Sequence, residues 1–233
     1  MRVRVLVSLT IGALLSATIF ASGGELTQVV RFSTEDLLFR IANGYDLVLL
    51  SDCALSGEVG RPLLPVATRY VVIPPTAEPK SITIVSTEAV EIPGEYLIHP
   101  AQKPRPISSE VSQFIQADED LYSSSLPYPG EVVQISPGGS MAGYRIAPVL
   151  LYPLQYKPSE RKLELYTRVE LRLTYEEGAV LRTERSPRQV AILGEKVRRM
   201  VANPEDVDRW APPVADPKQG TTEYAIVTTD TYV

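Results

Sequence analysis

Residues 162–175, KLELYTRVELRLTY, alternate with period two along their whole length. Leu163, Leu165, Thr167, Val169, Leu171, Leu173 and Tyr175 fall on one face, and Glu164, Tyr166, Arg168, Glu170, Arg172 and Thr174 on the other. Such a run predicts an extended strand with one face on a core and one in water, because a helix would scatter the same residues around its axis. Strands wet on one side belong to antiparallel sheets, whereas parallel sheets are covered on both faces. The charges on the wet face alternate in sign and read as a solvated surface, not a binding patch.

The same rhythm recurs upstream. Residues 144–152 (YRIAPVLLY) read as a second long strand, and QYKPSERK after them as the turn of a hairpin with 162–175. Further strands are predicted at 28–32, 45–50, 66–73, 81–90 and 131–135. Pro65, Pro74, Pro75, Pro93 and Pro148 end or edge them, since proline cannot donate a ladder hydrogen bond. Seven or more short strands without helical patterns between them predict a mainly β, antiparallel sandwich. Residues 100–130 show no clean period and read as a long surface excursion; Tyr122 and Tyr128 within it are the only hint of an aromatic patch.

Past residue 180 the period changes. Ser186 is placed to cap a helix that opens on Pro187, and Val190, Leu193, Val197 and Val201 recur at helical spacing until Asn203 and Pro204 stop it. WAPPVADPKQGTTE reads as an exposed linker, and residues 224–229 as a buried strand. One strand cannot bury its own faces, so it is expected to open a further domain. The predicted division is 1–23 leader, 24–180 sandwich, 181–222 helix and linker, and 223–233 the start of the next domain.

The leader reading rests on Arg2 and Arg4, the apolar run from Val5 to Phe20, and small residues after it, with cleavage expected after Ala21 or Gly23. The run is short for a bilayer core, which needs about 20 residues, so no membrane contact is expected once the leader is removed. Its loss takes the formal charge from −5 to −7, which argues against nucleic acid as a partner. Export also favours disulfides, but Cys53 is the only cysteine and cannot form an internal bridge. Cys53 and the single histidine, His99, would have to form the whole of a thiol protease dyad, and nothing marks an oxyanion hole or an orienting group beside them. The ligand spacings of a metal site are missing too, so no metal or cofactor is expected.

Four stretches, in order, resemble the precursor region of gingipain-like cysteine peptidases: GRPLLPVATRYVVIPPTA, YRIAPVLLYPLQYKPSERKLELYTRVELRLTY, SPRQVAILGEKVRRMVANPED and EYAIVTTDTYV. They look like the propeptide's opening strand, its signature hairpin, its exit helix and the first strand of the α/β peptidase domain. The resemblance covers most of residues 60–233 apart from the irregular 100–130 region. It implies a propeptide that assists folding of a peptidase domain joined in cis beyond Val233 and holds it inactive until proteolysis. The family's catalytic Cys and His belong to that later domain, so no catalytic residue is carried over and this chain is not itself an enzyme.

An inhibitory segment must fill a cleft and resist cutting. In KPRP, Arg105 could be held by a pocket carboxylate while Pro106 disfavours cleavage; a polyproline-like surface turn is the plainer reading. Basic residues available for maturation are Arg182, Arg185 and Arg188 before or at the helix start, and Arg209 and Lys218 after it. They serve equally as solvating charges. The alternative to a propeptide is a secreted β-sandwich module for binding, adhesion or structure, with no peptidase partner.

Overall fold

A computed structural model of the chain describes residues 23–104, 113–178 and 184–215. In chain order the elements are β1 (Gly23–Arg31), β2 (Leu37–Ala42), β3 (Tyr45–Leu50), β4 (Ala54–Ser56), β5 (Leu64–Ile73), β6 (Ala77–Ile92), α1 (Glu119–Tyr122), β7 (Val133–Ile135), β8 (Gly139–Met141), β9 (Tyr144–Leu151), β10 (Leu154–Lys157), β11 (Lys162–Glu177) and α2 (Pro187–Arg198).

The strongly alternating segment is β11, and it forms the spine of the first sheet. β6 runs antiparallel along one side of it; β1 and β10 lie end to end along the other. The second sheet is built on β9, with β5 on one side and the short β7 and β8 on the other, and β4 adds to the start of β5. β2 and β3 form a separate hairpin. All the strand pairings within these sheets are antiparallel, in line with the mainly β sandwich expected from the alternation.

The inward faces meet as predicted. Leu163, Leu165, Val169, Leu171 and Leu173 of β11 pack in one cluster with Ala67, Val71 and Ile73 of β5 and Ala147, Val149 and Leu151 of β9. The second sheet is also covered on its far side, where Val72, Tyr144 and Ile146 pack against Val197, Val207 and Trp210. That third layer explains why β5 and β9 read as nearly continuous apolar runs while β11 alternates.

Three expectations are corrected. Residues 144–152 do not form a hairpin with 162–175: β9 lies in the second sheet and β11 in the first. The chain crosses between them at Pro153, and the partner of β11 is β10, joined to it by a tight turn in which Arg161 has φ 56°. QYK looked like turn sequence because it is polar, yet Gln155 is buried, accepting from Gly130 N and donating to the carbonyls of Glu131 and Tyr152. A buried amide that is fully bonded costs little, so a polar letter can sit in the core.

The second correction falls on 100–130, whose later part belongs to the body. Tyr122 donates to Ile98 O at 2.6 Å and meets the Tyr156 ring edge-on, and Tyr128 exchanges backbone bonds with Tyr156. These tyrosines are packing residues, not an aromatic patch. The third concerns the linker expected after α2: Trp210 and Pro212 are buried.

Candidate functional site

The stretch that carries KPRP leaves and re-enters the body through a bonded stem. Gly60, held at φ 85°, donates its N–H to Ala101 O at 2.9 Å and accepts at its carbonyl from Asp118 N at 2.9 Å, so one residue anchors both limbs. A positive φ of this kind suits glycine, which has no Cβ to clash. Further out, the Gln102 amide accepts from Ile115 N at 2.8 Å and donates to Ile115 O at 2.9 Å, as a neighbouring strand would. Tyr45 O–H donates to Gln116 Oε1, and Tyr45, His99 and Phe114 pack ring against ring beneath, with centroids 5.4–6.0 Å apart. Lys103 and Pro104 are exposed just past this stem. Arg105 itself lies outside the described residues.

Sequence reasoning missed the Gln102–Ile115 staple. A glutamine three residues before Arg105 carries no pattern that would reveal a partner thirteen residues on.

The second region is the arm of residues 184–215. α2 begins as predicted: the Ser186 side chain accepts from Gln189 N while the Gln189 side chain accepts from Ser186 N, a complete capping box. After the helix the chain runs along the free edge of β5. Ala202 N donates to Tyr70 O, and the Asn203 amide, wholly buried, accepts from Val72 N and donates to Val72 O, both at 2.8 Å. Asn203 was expected only to stop the helix; it satisfies an open strand edge as well. The arm closes on itself, since Arg185 N donates to Pro213 O and accepts in return at its own carbonyl from Ala215 N.

This arrangement sorts the basic candidates. Arg185 is held in that bridge and its Nε is buried. Arg188 is exposed but lies in the first turn of α2, and Arg209, exposed in the turn after it, places its guanidinium 5.5 Å from the Trp210 ring. Proteolysis proceeds from the opened form of a segment, so docking of the arm slows cutting at these sites. Arg182, Lys218 and Ala21 lie outside the described residues. Gly23 is the first residue of β1, paired with Glu176.

Cys53 and His99 are not brought together as a dyad. Burial pushes the Cys53 thiol up to about 11, so it is protonated and unreactive at neutral pH. His99 is buried between Tyr45 and Phe114, and its Nδ1 has no hydrogen-bond partner. Among the described residues no group of three or more His, Cys, Asp or Glu is placed to hold a metal ion, and no helix is long and apolar enough to cross a membrane.

Among solved structures, the chain is similar to one from a complex of the pro- and mature domains of RgpB of Porphyromonas gingivalis, with 20% identity, a TM-score of 0.60, and coverage of 78% of this chain and 92% of that one. It is also similar to a structure on the zymogenic latency of gingipain K from the same organism, with 21% identity, a TM-score of 0.55, and coverage of 70% and 90%. No curated protein matches at the level of sequence. The family model Propeptide_C25 matches residues 45–209, from the first residue of β3 to the turn carrying Trp210. The chain therefore belongs to the C25 propeptide family, the non-catalytic leading region of gingipain-type cysteine peptidase precursors.

Proposed function

We propose that this chain is exported, loses its leader, and keeps a cysteine peptidase domain joined in cis latent while assisting its folding, until proteolysis separates the two. The single observation that carries the reading is the family match across the sandwich and the arm. The RgpB structure, in which pro- and mature domains form a complex, supports a peptidase domain as the partner. Cleavage of the leader after Ala21 leaves β1 whole, whereas cleavage after Gly23 removes a residue paired in the sheet.

Within this reading Arg105 is the residue that enters the peptidase pocket. A stem that fixes both limbs lowers the entropy lost when the segment docks, and Pro106 after it hinders cutting. Lys218 is the maturation point and Arg182 a secondary nick, because the three other basic candidates sit in the packed arm.

The experiment adds the chain to a mature gingipain-type peptidase that cuts after arginine and follows hydrolysis of an arginyl substrate. Inhibition by the parent chain is expected, with Arg105→Ala weakening it at least tenfold, the loss of a charge-assisted pair. Equal inhibition by the variant removes Arg105 from the role; no inhibition by either chain removes latency from the function.

A further inference from the structure

The outer edge of β1 is a strand edge without a partner strand among the described residues, and its sequence is complementary to itself. β1 pairs with β11 alone, in continuous register from Gly23 to Arg31, without the bulges that interrupt β6. Phe32 N donates to Thr167 O, so by the alternation of the pleat the even-numbered residues of β1 bond to β11. The odd-numbered residues Glu25, Thr27, Val29 and Arg31 turn their four N–H and four C=O groups outward. Long, regular, unblunted edges of this kind are templates for pairing with another chain.

We infer that this edge pairs antiparallel with β1 of a second copy about a two-fold axis through Gln28. Only registers that place odd residues opposite odd residues satisfy the outward groups. Of these, the one centred on Gln28 sets Glu25 against Arg31 twice over, and Thr27 against Val29. A shift of two residues either way leaves both charges facing uncharged groups. Opposed residues share a face, so Leu26 meets Val30 of the partner on the core side, extending the buried layer, while Val29, 39% exposed, gains cover on the wet side. Glu25 already sits 3.6 Å from Arg172 in its own sheet, and Arg31 has no ion pair among the described residues, so pairing with a second copy gives each Arg31 the carboxylate partner it lacks. An edge contact of seven residues is at the small end of specific interfaces, which makes the dimer concentration-dependent. This inference does not rest on the propeptide reading.

The test is sedimentation equilibrium of the full chain over a range of concentrations, with hydrogen exchange of its β1 amides. The parent is expected to dimerise with protection appearing at Glu25, Thr27, Val29 and Arg31. Val29→Pro removes one outward N–H and no bond to β11, so it is expected to stay folded and become monomeric. Glu25→Lys and Arg31→Glu each place like charges together and are expected to weaken association on the order of tenfold. Mixed, the two variants restore opposite charges at every contact and are expected to form a heterodimer. A parent monomeric at every concentration overturns the proposal; so does a monomer whose outward amides are protected by another segment or partner, or a mixture of the two charge variants that fails to associate.

Discussion

Asn203 does for β5 what a neighbouring strand would do. Val72 presents its N–H and C=O at a sheet edge beneath the arm, where water cannot reach, and one side-chain amide satisfies both while also donating to Asp206. Asn203→Ala leaves that donor and acceptor buried and empty. At about 1–3 kcal/mol for an orphaned group, the loss is expected to be about 2–4 kcal/mol, read as a lower denaturation midpoint with an unchanged slope. Arg209→Ala is the control: it removes only an exposed contact with the Trp210 ring, worth less than about 1 kcal/mol. A variant at Asn203 no less stable than that at Arg209 would show that the arm does not rest on this amide.

At the scale of elements, the arm is a helix and a turn that hold together because Trp210, Val207 and Val197 bury against the back of the second sheet. Trypsin should therefore cut slowly after Arg185, Arg188 and Arg209 in the parent chain. Trp210→Ala, at about 3–5 kcal/mol for a lost core aromatic, is expected to speed cleavage at Arg188 on the order of a hundredfold. Fast cutting of the parent at Arg188 would show that the arm is not docked. How much of this was legible follows from range. The alternation of β11, the Ser186 cap with Pro187 after it and the span of β3 are local patterns and were read directly. The helix docking was half visible as an apolar stripe, but the asparagine 131 residues from Val72 and the glutamine amide stapling Ile115 are long-range polar contacts without a period. β2 was missed although its signal was present: Asn43–Gly44, with φ of 53° and 81°, is the two-residue hairpin turn between β2 and β3. The apolar residues of β2 are largely exposed, so their burial pattern says nothing of a strand. Arg105, the residue proposed to matter most for latency, owes its place to local chemistry alone, the prolines on either side of it.

For the molecule as a whole, stability without a disulfide rests on three packed layers, and tyrosine is their common polar tenant. The phenols of Tyr96, Tyr122, Tyr128, Tyr144, Tyr156 and Tyr166 are all pushed above their ordinary value, with burial as the first cause. Burial raises the Cys53 thiol in the same sense, to about 11. The unfolded chain releases these protons first, so above the unfolded values the native state binds more protons and each further rise in pH favours unfolding. This contribution is fully present below about pH 9 and is lost as pH climbs through the folded values. The urea midpoint is therefore expected to be flat across neutral pH with respect to these groups and to fall steeply above about pH 10. Tyrosinate absorbance gives the same event a second readout: Tyr144 and Tyr156, the two fully buried phenols among the described residues, should ionise only together with loss of the sheet signal in circular dichroism. If all twelve tyrosines titrate smoothly while the sheet signal persists, water reaches the phenols in the native state, and the packing of Tyr122 on Tyr156 and of Tyr144 under the arm is not what holds the layers together.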